Sequence, residues 1–163
     1  MMPGLLRFLC LALALAPAVH AAEFRDFDAR TPAALRSQYA GRPYILAFWS
    51  IHCEPCRDEL AQWAPLQRRH PDVPIILVAT DSPNERDVLS KLLSRYDLTG
   101  VQTWAYADEF DERVRFAVDR QWRGELPRTY LYDASHQAEA RSGVVEPGWI
   151  EAWLARRKPG AQR

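Results

Sequence analysis

Cys53-Glu54-Pro55-Cys56 is the stretch of this chain whose residue types and spacing suit covalent chemistry. Two thiols so placed can close into a small disulfide ring or open to a dithiol. The pair directly follows an apolar, strand-like run, Tyr44 to Trp49, and opens a helix-like one. At a strand-to-helix junction, Cys-x-x-Cys is the sequence form of a dithiol redox site. The free N–H groups and partial positive charge of a helix N-terminus both favour the thiolate of the first cysteine. Pro55 suits the first helical turn, where its missing N–H costs nothing. Glu54 brings a negative charge that opposes thiolate formation. The balance between helix dipole and Glu54 bears on the stability of the reduced form, and so on oxidising power.

A structural role explains this pair poorly. A disulfide between such near neighbours closes a tiny loop and restricts little of the unfolded chain. A secreted domain stapled by disulfides normally carries more cysteines than the three found here. Zinc is the other chemistry open to two thiols, but it needs about four ligands. The remaining candidates, His52, His70 and His136, stand in no paired spacing. No metal and no cofactor is expected.

The third cysteine, Cys10, lies in a segment that reads as an export signal. Arg7 supplies a sparse positive region, Phe8 to Ala16 an apolar one, and Pro17 a break. Val19-His20-Ala21 then offers small residues at a cleavage site. Cleavage is expected after Ala21, making residues 1–21 a signal peptide and 22–163 the mature domain. The apolar run is shorter than the roughly 20 residues of a spanning helix; an uncleaved anchor is the alternative. The chain of 163 residues suits one domain with a real core. Lys plus Arg equal Asp plus Glu at 21 each, which leaves no electrostatic signature for nucleic acid or an anionic membrane.

The elements that must position the cysteines follow from pattern. Glu23 to Asp28 is a short first strand. Thr31-Pro32 reads as an N-cap followed by proline at the first helical position, with a helix from Ala33 to Tyr39 closed by Gly41. Tyr44 to Trp49 is apolar throughout, as in a strand buried on both faces. Cys56 to about His70 has helical periodicity, which Pro65 is expected to interrupt and kink. Val73 to Thr80 is a second buried strand, so strand, helix and strand form a parallel βαβ unit. Asp81 to Asn84 is a turn and Glu85 to Tyr96 a helix. Val101 to Ala107 is a short strand, and Phe110 to Arg120 a helix. Thr129 to Asp133 and Ala138 to Val145 form a hairpin around a turn at 134–137. A last helix runs from Pro147 to Arg156, and Pro159 to Arg163 is a frayed tail.

With these residues in place the chain resembles the thioredoxin superfamily, and within it the exported TlpA/ResA/CcmG-like thiol–disulfide oxidoreductases. The resemblance rests on Phe48-Trp49, on Cys53-Glu54-Pro55-Cys56, on Glu59, and on Leu126-Pro127 before the hairpin. It spans about Phe24 to Arg156. It implies an α/β thioredoxin-like fold: a central mixed sheet flanked by helices, with an insertion between the βαβ unit and the C-terminal hairpin. Cys53 would be the attacking thiolate and Cys56 the resolving one. Pro127 would be a cis-proline facing the disulfide, against the alternative of an ordinary trans-proline at a strand start. Leu126 would present backbone to a bound substrate strand. Trp49, His52, Pro55 and Arg128 complete the expected substrate-binding set. Glu59 matches an acidic residue of this branch. It either relays the proton of the resolving thiol or is a solvated surface residue.

Several positions depart from the family. His52 replaces a Trp before the first cysteine. It would favour the thiolate when protonated, or be an exposed residue that tunes little. Arg128 stands where a Thr is usual; it would add positive potential near Cys53 or point to solvent. Ala61 replaces a Pro. Ala47 occupies the position of the buried Asp of thioredoxin itself, which leaves Glu59 as the nearby acid. The resemblance implies a monomeric periplasmic reductase of disulfides in specific partner proteins, of the cytochrome c maturation or copper/oxidase assembly type. A membrane thiol–disulfide donor of the DsbD/CcdA kind would reduce it in turn. The rivals are an oxidase or isomerase of the DsbA/DsbC kind, and a non-enzymatic copper-handling module using the two thiols as soft ligands.

Overall fold

The computed structural model describes residues 24–98, 100–107 and 111–157. The expected signal peptide, Glu23, Phe110 and the C-terminal tail lie outside the described residues. Six strands form one sheet in the order β1-β4-β3-β2-β5-β6: β1 Arg25–Phe27, β2 Tyr44–Trp49, β3 Ile75–Ala79, β4 Gln102–Tyr106, β5 Arg128–Tyr132 and β6 Ala138–Ser142. The first four strands of the chain pair in parallel, whereas β5 lies antiparallel to β2 and β6 antiparallel to β5. The sheet is therefore mixed. No helix among the described residues is long and apolar enough to cross a membrane.

Central strands are buried on both faces, and the period of two sorts their side chains into two cores. Ile45, Ala47 and Trp49 of β2 join Ile75, Leu77 and Ala79 of β3 on one face. There they meet α2 (Glu54–Arg69), α3 (Arg86–Leu93) and α5 (Pro147–Ala155) through Leu60, Trp63, Leu89, Leu93, Ile150 and Trp153. Tyr44, Leu46 and Phe48 face the other side with Ile76 and Val78. That side is covered by Leu35 of α1 (Thr31–Gln38) and Val114 of α4 (Asp111–Val118). Between the βαβ unit and the hairpin, the expected insertion holds α3, β4 and α4.

Three local expectations need correction. Thr31 is the first residue of α1 rather than its cap. The Asp28 carboxylate takes the cap's place, accepting from the Arg30 and Thr31 N–H groups at 2.8 and 3.0 Å. α2 is not interrupted at Pro65; it runs on to Arg69. The helix expected from Glu85 to Tyr96 starts instead as a 3₁₀ turn at Pro83–Glu85 and ends at Leu93. Ser82 caps that turn, its hydroxyl accepting from the Asn84 N–H while Glu85 reaches back to its N–H at 3.0 Å.

Gln67 fixes how α2 returns to the sheet. Its amide Nε2 donates to the carbonyls of His70 and Val73 at 3.1 and 3.2 Å, and its Oε1 accepts from the N–H of Ile75 at 3.0 Å. The first residue of β3 is thereby tied to the last turns of α2 by one buried side chain. Gln67→Leu keeps the bulk and strands these buried backbone groups. The expected loss is about 2–4 kcal/mol of unfolding free energy, read by urea denaturation of the oxidised protein; an unchanged midpoint would refute the clamp.

Candidate redox site

β2 ends at Trp49 and α2 begins at Glu54, so four residues carry the chain from the sheet to the helix. Within them the Cys53 N–H donates to the Ser50 carbonyl at 3.2 Å, closing a tight turn. Cys53 is the N-cap of α2, with extended backbone at φ −102° and ψ 102°. Its sulfur accepts the Cys56 N–H at 3.2 Å. Cys53 and Cys56 are joined as a disulfide, their Cα atoms 5.2 Å apart. Cys53 is half-buried at the protein surface, while Cys56 is 0% exposed and belongs to the core beneath α2. The two sulfurs thus differ in access by their place on the helix, one at its tip and one a turn inward.

Glu59 lies on the buried side of α2, 3% exposed, and is not a solvated surface residue. Its Oε1 accepts the N–H of Val145 at 2.9 Å, in the segment joining β6 to α5. Gln62, one turn on, donates to the carbonyl of the same Val145 at 3.3 Å. Burial raises the Glu59 carboxyl to about 7 from its ordinary 4.5, opposed by the Val145 hydrogen bond. The carboxyl lies three residues along the helix from Cys56, on the neighbouring turn.

The Leu126–Pro127 peptide bond is cis. Pro127 is buried, and its carbonyl accepts the Gly143 N–H at 2.8 Å, tying the loop before β5 to the end of β6. Leu126 is half-buried and packs against both cores. Pro55 and His52 are exposed beside Cys53. Trp49, expected in the substrate-binding set, is 2% exposed and packs in the same core as Cys56; it supports the site from below and offers no surface.

Arg128 is engaged by its own strand neighbours. Register pairs it with Phe48, and it shares the face of Tyr130, away from α2. Its guanidinium donates to Asp119 at 3.1 Å and to the Ser142 hydroxyl at 3.0 Å, and stacks 4.8 Å from the Tyr130 ring centre. It does not point to solvent, because Asp119, Ser142 and the Tyr130 ring hold it.

The residues that sequence reading missed lie across the turn from Cys53. Asp81, at the end of β3, is 4% exposed, and burial raises its pKa, opposed by hydrogen bonds from Ser50 and Ile51. The His52 ring meets Glu85 at 2.8 Å, and that contact holds the Glu85 carboxyl below its usual range. Donor atoms of His52, Asp81 and Glu85 lie within 4.8 Å of one another. Protein hydrogen bonds already engage all three, and the group includes neither cysteine. One sequence signal pointed to Asp81: it directly follows the C-terminal end of a parallel strand, where sites of such sheets gather.

No protein-family model and no curated protein matches the chain. Among solved structures it is similar to a secreted Mycobacterium tuberculosis disulfide oxidoreductase homologous to E. coli DsbE, at 17% identity and a TM-score of 0.58 over 73% of this chain and 84% of that one. It is also similar to StoA from Bacillus subtilis, at 18% identity and a TM-score of 0.52 over 70% and 83%. A third likeness is to the exposed lipoprotein thioredoxin of Streptococcus pneumoniae, at 15% identity and a TM-score of 0.58 over 74% and 88%. The fold is that of thioredoxin. In this thioredoxin fold the cysteine pair stands at the N-terminus of α2, with the cis-proline loop leading into β5.

The Glu59 carboxyl has a thermodynamic signature. Its folded-state pKa lies above the unfolded one, so its stability contribution is full below about pH 4.5 and is lost as pH rises through about 7. Glu59→Gln keeps an acceptor for Val145 and cannot ionise. It should match the melting temperature of the oxidised wild type at pH 4 and exceed it at pH 8, by the equivalent of up to about 3 kcal/mol. Curves that coincide at both pH values would contradict the raised carboxyl.

Proposed function

We propose that this protein is an exported thiol–disulfide oxidoreductase, working in the periplasm as a reductase of disulfides in specific partner proteins. The observation that carries the reading is the asymmetry of the pair. One sulfur is reachable at a helix N-terminus and the other is sealed beneath it. A likeness of fold to secreted and exposed oxidoreductases supports the compartment, as does the leader-like segment ending at Ala21.

In the reduced protein the Cys53 thiolate attacks one sulfur of a partner disulfide. An S–S bond forms between Cys53 and the partner, and the partner's other sulfur leaves as a thiolate. Cys56 then attacks the Cys53 sulfur. The mixed disulfide breaks, the Cys53–Cys56 bond forms, and the partner leaves with both sulfurs reduced. Two electrons pass from the pair to the partner. The Cys56 proton goes to the Glu59 carboxylate and on to the departing thiolates or solvent. Leu126 offers backbone beside cis-Pro127 to an extended partner segment, with Pro55 and His52 at the rim. The oxidised pair is returned to the dithiol by a thiol–disulfide donor in the membrane, of the DsbD/CcdA kind.

The direction of electron flow is tested by the equilibrium potential of the Cys53–Cys56 pair in a dithiothreitol or glutathione buffer. A value of roughly −250 mV or lower is expected; one near roughly −120 mV would mark a disulfide-forming enzyme instead. The order of attack is tested with Cys56→Ser, which should accumulate partner proteins in mixed disulfides on Cys53, whereas Cys53→Ser should trap none. Glu59→Gln should slow partner reduction at pH 7 by about 10-fold or more, with unchanged trapping when combined with Cys56→Ser. Full activity in Glu59→Gln would remove Glu59 from the proton path.

A further inference from the structure

We propose that Asp81 is a positioning residue for Cys53, acting through Ser50, Ile51 and the backbone of His52. The inference rests on the reading of Cys53 as the attacking sulfur. Asp81 sits at the end of β3, next to the strand that delivers the cysteines, and its carboxylate is buried. Its Oδ1 accepts the Ser50 hydroxyl at 2.7 Å and the Ile51 N–H at 3.1 Å. The Ser50 oxygen in turn accepts the His52 N–H at 3.0 Å, and the Ser50 carbonyl accepts the Cys53 N–H at 3.2 Å. Each residue of the turn from Ser50 to Cys53 is thus held through a backbone N–H or a hydroxyl that leads back to Asp81 or to Ser50. The outer edge is fastened separately: the His52 ring meets Glu85, whose other oxygen accepts the Ser82 N–H at 3.0 Å.

The need for such a device follows from the redox cycle. In the oxidised form the bond to Cys56 fixes the Cys53 sulfur at the helix tip. In the reduced form that bond is gone, and only the conformation of the turn keeps the sulfur where the Cys56 N–H and the helix dipole stabilise its thiolate. Burying a carboxylate is costly unless it is hydrogen-bonded. Asp81 is buried against this turn and hydrogen-bonded to it, so loosening the turn would strip it of those partners. The two stabilise each other.

The test reads the thiol itself, by the pH profile of Cys53 alkylation in the reduced full-length protein, and compares Asp81→Ala with Asp81→Asn. Asparagine retains an oxygen acceptor for the Ser50 hydroxyl and the Ile51 N–H; alanine retains none. The other ionisable groups of the site, His52, Glu54, Glu59 and Glu85, stay in place in both. Asp81→Ala should move the Cys53 titration up by about one pH unit and slow alkylation at pH 7 by about 10-fold. Asp81→Asn should stay within about 3-fold of wild type, since it conserves the geometry. A wild-type profile in Asp81→Ala overturns the proposal. So does an Asp81→Asn profile displaced as far as that of Asp81→Ala, which would assign the effect to charge. Ser50→Ala, which removes two of the contacts and leaves the buried carboxylate on Ile51, should shift the titration in the same direction as Asp81→Ala. No shift there also overturns it, and this variant decides the matter if Asp81→Ala fails to fold. Alkylation needs no partner protein. A protein that reduces no disulfide would therefore refute the proposed function while leaving this measurement decisive for Asp81.

Discussion

The Cys53 sulfur accepts a hydrogen bond from the Cys56 N–H, and that bond exists because the chain passes from strand to helix in four residues. A longer connection would let the first cysteine drift from the helix axis. A shorter one would not let the backbone reverse. The parallel β2–β3 pairing fixes where the turn begins, since β2 must end level with Ala79 of β3 for its last carbonyl to meet the Thr80 N–H at 2.9 Å. Helix α2 fixes where the turn ends. The redox pair lies at the intersection of these two constraints, and both are set by apolar burial in the core that Cys56 itself joins.

The mixed sheet contributes a second boundary. Antiparallel β5 lies on the other side of β2, and the loop entering it carries cis-Pro127. That loop is held to the end of β6 through Gly143, and the segment just beyond is held by Glu59 and Gln62 through Val145. The helix bearing the cysteines and the loop bearing the proline are thus both tied to the segment from Gly143 to Val145, the loop by a backbone bond and the helix by two side chains. Glu59 serves this connection through one carboxylate oxygen, Oε1. A titrating acid and a structural tie are combined in one side chain.

Much of this was legible in the sequence, for identifiable reasons. Tyr44 to Trp49 has the unbroken apolar character of a strand covered on both faces, and its limits were read to the residue. The final helix and the hairpin were read to within a few residues, because Pro147 and the turn at 134–137 punctuate the chain. The cis bond at Pro127 followed from resemblance, not from residue chemistry. Trp49 is buried where the resemblance implied a surface, because a position next to a functional residue in sequence says nothing about which face of a strand the side chain takes until register is known. Asp81 was missed because a turn sequence rich in Asp, Ser, Pro and Asn reads the same whether its acid faces water or a neighbouring turn. At the start of α1, Asp and Thr share a capping preference, and Asp28 stands close enough to take the place that the pattern offers to Thr31.

The complete burial of Cys56 bears on survival as well as on turnover. Where a reactive thiolate meets peroxides, a sulfenic acid is the first product. In the disulfide form Cys53 is the sulfur nearer the surface and Cys56 is buried, so that product is assigned to Cys53. A sulfenic acid at Cys53 then has a thiol within its own ring-closing distance. Condensation expels water and returns the protein to the Cys53–Cys56 disulfide. The sulfinic and sulfonic acids, from which recovery is rare or absent, are bypassed. Placing the second sulfur within reach lets an accident of oxidation end in the same disulfide that the pair forms by itself.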